Sequence, residues 1–221
     1  MAMTDEEYML RAVELAKKGT GWTNPNPLVG AVIVKGGRII GEGYHKKYGG
    51  LHAEREALAS ANEDVSGATI YVTLEPCCHY GKQPPCVNAI IEAGIKRVVI
   101  GSYDPNPLVA GKGVDILREH NITVDDKLVC SEECKSLNYV FFNYIKEKKP
   151  YVILKYAQSL DGKIATHTGL SQWITGETAR NKVHMDRHRY SAVMVGVETV
   201  IKDNPMLTCR SKDCLLYTSD A

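Results

Sequence analysis

From about Asp5 to Lys18 polar and apolar residues follow helical spacing, and Gly19 closes the run. Thr4, with Glu7 three places on, supplies the reciprocal capping pair that opens such a helix. Leu28–Val34 (LVGAVIV) is a continuous apolar run of strand length, and Lys35-Gly36-Gly37 turns it into a second strand over Arg38–Gly43. Ala53–Ala61 is rich in helix formers. Thr69–Leu74 reads as a strand. Pro84-Pro85 opens a helix at Cys86 that Gly94 stops, and Arg97–Gly101 is a further strand. A helix over Gly113–His120, a short strand over Ile122–Val124 and a helix over Ser131–Ile145, capped by Ser131, complete the first stretch. Strands alternating with helices predict a layered α/β domain.

The charge cluster Glu147-Lys148-Lys149-Pro150 marks a domain boundary. Beyond it Tyr151–Ala157 and Ser191–Val197 read as strands, Gln158–Lys163 as a turn and Glu177–His188 as a helix. About 70 residues follow the boundary, few for an independent core.

Composition narrows the function classes. The 221 residues carry a net charge of +1, and no Lys/Arg block stands out, so no nucleic-acid footprint is expected. No apolar run approaches the ~20 residues needed to span a bilayer. The acidic start, Met1–Glu7, lacks the apolar core of a secretory signal. Seven cysteines without a disulfide-like framework suit a reducing compartment, so a cytoplasmic location is expected.

Two short stretches carry chemistry. His52-Ala53-Glu54 opens one predicted helix, and Cys77 and Cys86 flank the start of another. One imidazole and two thiolates hold a tetrahedral zinc while leaving its fourth position for water, whose pKa the metal lowers to roughly 7. Glu54, two residues past the His, is the spare carboxylate that moves protons. This is the H-x-E…P-C-x-x-C pattern of zinc nucleobase deaminases, with eight residues instead of two between the cysteines. Cys78 and His79 lie within the stretch but are not expected as ligands, since a closed four-ligand site has no room for water. His79–Gln83 reads as an exposed excursion at the mouth of the site, and His45 as a surface or pocket residue. Asn26, in the Pro-bracketed Asn24-Pro25-Asn26-Pro27, reads equally as turn chemistry and as a side chain that hydrogen-bonds a base, and Lys82 equally as a solvated loop lysine and as a contact for a phosphate.

These residues, with Asn24–Gly30 and Leu74–Cys77, resemble the bifunctional riboflavin-biosynthesis deaminase/reductase family, in which a pyrimidine deaminase precedes a pyrimidine reductase. Lys155–Ala165, Ser171–Thr175, Val195–Val200, Asp203–Thr208 and Arg210 extend the resemblance into the second half. It implies a cytidine-deaminase-like three-layer α/β/α domain over residues 1–146. A partial dihydrofolate-reductase-like α/β domain over 150–210 would follow. Residues 211–221 do not look like the family and read as a non-native tail after an early stop, so little NADPH oxidation is expected.

By the same resemblance the substrate is 2,5-diamino-6-(5-phosphoribosylamino)pyrimidin-4(3H)-one. The reductase half would use NADPH, with contacts at Ala157, Trp173, Thr199 and Asp203. Substrate contacts would fall at Ser171, Arg187, Leu207 and Arg210. A small phosphorylated pyrimidine is the expected partner, with neither nucleic acid nor membrane, and the assembly is expected to be a homo-oligomer. A deaminase acting on another base or on tRNA, and a scaffold with a structural zinc, are the competing readings; only the enzymes have a use for Glu54.

Overall fold

The computed structural model describes residues 3–210. They divide into two units, with the boundary between Tyr151 and Val152.

The first unit is built on a five-stranded sheet of order β2-β1-β3-β4-β5. Its strands are β1 (Gly30–Lys35), β2 (Arg38–Tyr44), β3 (Thr69–Val72), β4 (Arg97–Ile100) and β5 (Thr123–Asp125). β1 runs antiparallel to both β2 and β3, while β3, β4 and β5 are mutually parallel. Side chains alternate across the sheet as a period of two demands. Ala31, Ile33, Ile70, Val72, Val98 and Ile100 pack on one face with residues of α2 (Ala53–Ser60), α3 (Cys86–Glu92) and α4 (Lys112–Glu119). Val32, Val34, Tyr71 and Val99 pack on the other with α1 (Asp5–Lys17) and α5 (Ser131–Leu137). Burial on both faces explains why the first strand is apolar throughout instead of alternating. The three-layer α/β/α arrangement expected of this half is present.

α1 begins as its sequence dictates. The Thr4 hydroxyl accepts from the Glu7 N–H, and the Glu7 carboxylate accepts from the Thr4 N–H at 2.8 Å. Asp5, in its first turn, holds Arg97 of β4 at 2.6 Å, and the same guanidinium reaches Asp125 of β5 at 3.0 Å. That guanidinium holds the Asp5 carboxyl below its ordinary range.

Close approach of α2 to β2 fixes where the site begins. A side chain on Gly43 would put its Cβ 2.3 Å from the Ala57 nitrogen and 2.4 Å from the Ala53 oxygen, both α2 backbone. Gly43→Ala is therefore expected to lift the first turn of α2 from the sheet and to cost at least ~3 kcal/mol. A urea titration measures it; a loss under about 1 kcal/mol would contradict this packing.

The single helix expected over 131–145 is instead two, α5 and α6 (Tyr139–Glu147), joined at Asn138 (φ −122°). The cap preceding α5 is Cys130, in the left-handed region at φ 53°, and Ser131 is the first helical residue. The break has a tertiary cause. Asn138 is buried, its amide oxygen accepts from the Leu28 N–H at 2.7 Å, and its amide nitrogen donates to the Leu28 carbonyl at 2.8 Å. Two partly buried hydrogen bonds to the chain entering β1 outweigh one uninterrupted helical turn.

In the second unit α7 (Glu177–Arg189) forms as expected, and α8 (Val197–Asp203) is a helix the sequence reading did not assign. The strands expected over 151–157 and 191–197 do not form. Among the described residues of this unit neither segment has a ladder partner, and a strand without one leaves its peptide groups to water. Val152, Leu154 and Tyr156 are correspondingly exposed. The tail expected over 211–221 lies outside the described residues.

Candidate metal centre

The site lies beyond the carboxyl ends of β3 and β4, the usual position of a ligand crevice in an open α/β sheet. His52 is the N-cap of α2, Cys86 is the first residue of α3, and Cys77 arrives on the segment leaving β3. The Nδ1 atom of His52 stands 3.4 Å from the Cys77 sulfur and 3.4 Å from the Cys86 sulfur. Among the described residues these three form the group whose ligand atoms all lie within 4.8 Å of one another. A tetrahedral ion with metal–sulfur and metal–nitrogen bonds of ~2.3 and ~2.1 Å would set nitrogen and sulfur about 3.6 Å apart, so the donor set fits zinc. The backbone N–H of Cys86 also donates to the Cys77 sulfur at 3.4 Å.

The sulfurs share their charge unequally. Hydrogen bonding from the Cys86 thiol, then from His52, holds Cys77 down to about 4. The same contact and deep burial push Cys86 well up. The hydrogen bond to Cys77 raises His52. Metal binding therefore displaces protons, above all from Cys86, since only Cys77 is already biased toward thiolate.

Glu54, on the first turn of α2, is 3% exposed. Burial pushes its carboxyl up to about 7, with the neighbouring Cys77 charge adding to the effect. It borders the same cavity as His52 and Cys77, with a volume of about 270 Å³. A buried carboxyl beside a three-ligand set is positioned to take and return protons near neutrality.

Asn26 and His45 also line the cavity, the His45 ring packing edge-on against the His52 ring with centroids 5.5 Å apart. His45 is buried, and burial lowers its pKa, so the ring is neutral. Its Nδ1 faces the Leu51 carbonyl at 2.9 Å, which assigns the proton to that nitrogen. Nε2 is then an acceptor, 3.3 Å from the Asn26 amide nitrogen. His45 is thus the pocket residue of the two expected alternatives. Lys82 lies at the mouth, its ammonium 3.9 Å above the centroid of the Tyr48 ring. Of the predicted excursion, Tyr80, Gly81 and Lys82 are exposed, and all but Tyr80 line the cavity. The Cys78 sulfur faces the Leu108 carbonyl at 3.6 Å, away from the ligand set.

Among the lining residues that escaped the sequence reading are Glu75, Asp104 and Asn106. A signal existed, because Asp104-Pro105-Asn106-Pro107 repeats the Pro-bracketed pattern that singled out Asn26.

In the second unit Arg187 and Arg210 converge: both guanidiniums donate to the Met206 carbonyl, at 3.5 and 3.2 Å, and Arg187 also donates to the Thr208 carbonyl at 3.0 Å. Leu207 lies between those carbonyls in sequence and is half-buried. Thr199 and Asp203 lie on α8, Ala157 and Ser171 on irregular segments, and Trp173 is exposed with the Arg180 guanidinium 4.6 Å over its ring.

Residues 2–102 match the family described as "Cytidine and deoxycytidylate deaminase zinc-binding region", and residues 150–215 match the RibD C-terminal domain. The riboflavin biosynthesis protein RibD of Actinobacillus pleuropneumoniae is 62% identical over 94% of this chain and 55% of that protein. Its counterpart in Aquifex aeolicus is 57% identical over 93% of this chain and 58% of that protein. Among solved structures, the diaminohydroxyphosphoribosylaminopyrimidine deaminase/5-amino-6-(5-phosphoribosylamino)uracil reductase of Thermotoga maritima superposes with a TM-score of 0.90 at 58% identity. That match covers 95% of this chain and 60% of that one. The chain thus spans little more than half the length of the relatives it matches. Among the described residues no helix is long and apolar enough to cross a membrane.

Proposed function

Because the chain belongs to the RibD family of riboflavin biosynthesis proteins, we propose that its first unit hydrolytically deaminates a phosphoribosylated diaminopyrimidine, 2,5-diamino-6-(5-phosphoribosylamino)pyrimidin-4(3H)-one. The single observation that carries this reading is one cavity bordered by His52 and Cys77 of a three-donor metal set and by a buried carboxyl that is not part of the set. A structural zinc has no use for the carboxyl.

His52, Cys77 and Cys86 would hold the zinc, which when bound supplies a water acidic enough to attack near neutral pH. The rest falls to the chain's own residues. Glu54 would take a proton from the attacking water and pass it to the ring nitrogen beside the reacting carbon. It then carries the second water proton to the exocyclic amine, so that the C–N bond breaks as the C–O bond becomes a carbonyl and ammonia leaves. His45, neutral and anchored on Leu51, fixes the Asn26 amide, which then presents its remaining donor and acceptor to the base. Lys82 at the mouth suits the phosphate.

On the same reading residues 1–146 are the deaminase and 150–210 part of a reductase domain that uses NADPH. Ala157, Trp173, Thr199 and Asp203 would face the cofactor. Ser171, Arg187, Leu207 and Arg210 would face the substrate; the convergence of the two arginines on Met206 supports their sharing one phosphate. The reaction would be cytoplasmic and the assembly a homo-oligomer.

The test is ammonia release by the zinc-loaded chain. The diaminopyrimidine phosphate is expected to turn over, while cytidine, dCMP and tRNA are not. Turnover of tRNA or dCMP in its place would assign the site to a different deaminase.

A further inference from the structure

Glu75 is two residues from Cys77 yet does not belong to the donor set. Its carboxylate is almost fully buried, and its acceptor positions are filled from a single distant segment. Oε1 and Oε2 accept from the Gly111 N–H at 2.9 and 3.0 Å, Oε1 accepts from the Gly113 N–H at 3.1 Å, and Oε2 accepts from the Asp104 N–H at 3.3 Å. The Glu75 backbone N–H donates to the Ser102 carbonyl at 2.9 Å, pinning the start of the same segment. α4 approaches so closely that a Cβ on Gly113 would lie 2.3 Å from the Pro76 carbonyl oxygen.

The clasped segment has one inward-facing part. Asp104 accepts the Asn106 N–H at 2.8 Å, Asn106 accepts the Leu108 N–H at 3.1 Å, and both side chains border the cavity. Neither has a clamp to the metal-bearing helices in these bonds; what holds their shared turn against the site is the set of three N–H groups converging on the Glu75 carboxylate.

We propose that Glu75 is a positioning residue that sets substrate affinity: it clasps residues 104–113 so that Asp104 and Asn106 meet the part of the substrate remote from the reacting carbon. This rests on the deaminase reading above. The Glu75 carboxylate bonds to residues 104–113 and not to Glu54 or the donor side chains, so loosening it is expected to change binding more than chemistry.

The test is steady-state ammonia release and zinc content for the zinc-loaded full chain, with Glu75→Gln, Glu75→Asp and a core variant, Val98→Ala, which destabilises without touching the clasp. Glu75→Gln keeps the shape but sets an amide N–H against backbone N–H groups, and is expected to raise KM about tenfold or more, the loss of one charged hydrogen bond. Its kcat should stay within about threefold and its zinc should be unchanged. Glu75→Asp keeps the charge and should fall between wild type and Glu75→Gln, and it carries the test if Glu75→Gln does not fold. Val98→Ala should leave KM unchanged. Unchanged KM in both Glu75 variants, a fall in kcat or zinc without a KM effect, or an equal KM rise in Val98→Ala would overturn the clasp while leaving the deaminase reading intact. A wild-type chain that releases no ammonia from the diaminopyrimidine phosphate would overturn both.

Discussion

Glu54→Gln is expected to lower kcat for ammonia release by ~10³-fold while zinc stays bound at one ion per chain. The amide preserves the size of the side chain and its place on α2, so the packing of the first helical turn is undisturbed. What it removes is the site that accepts and returns protons. General acid–base help is worth about 10²–10⁴-fold, and on the proposed reading one carboxyl would serve both the attacking water and the departing amine, which argues against the low end. The donors are on His52, Cys77 and Cys86, so metal retention should be untouched. Activity within about tenfold of wild type would remove Glu54 from the proton path; loss of zinc would make it part of the metal's own support.

Cys86→Ser is expected to act on the other half of the site. The sulfur lies 3.4 Å from His52 Nδ1, and the residue is fully buried at the start of α3. Serine keeps the volume but offers a hydroxyl in place of a soft thiolate. Zinc affinity should fall by at least ~100-fold, beyond the 10–100-fold typical when only an orienting neighbour of a ligand is removed. Ammonia release should fall in proportion to the zinc lost. Cys78→Ser provides the contrast: that sulfur faces the Leu108 carbonyl, and both zinc and activity should survive its loss. Metal titration with a chromogenic chelator measures both variants.

Much of this site was legible before folding was considered, for physical reasons that differ residue by residue. The ligands sit at helix starts, and helix starts announce themselves locally through Pro84-Pro85 and the Ala-rich run after His52. The sheet was legible because burial on both faces leaves unbroken apolar runs such as Leu28–Val34. What escaped depends on partners far along the chain. Asn138 reads as an ordinary helix residue until its amide meets Leu28. Glu75 reads as a lone acid before a proline until the N–H groups of Gly111 and Gly113 arrive. The segments 151–157 and 191–197 carry strand composition, but a strand needs a neighbour, and among the described residues of that unit none is supplied. The convergence of Arg187 and Arg210 on one carbonyl could not be read from a helix residue and an exposed one at separate places in the sequence.

X-ray absorption at the zinc edge, on the full chain as purified, tests the metal centre most directly. Two sulfurs at ~2.3 Å and two lighter atoms at ~2.0–2.1 Å, one an imidazole nitrogen and one a water oxygen, are the predicted first shell. A shell with three or four sulfurs, a second imidazole in place of the water, or no zinc at all would contradict it.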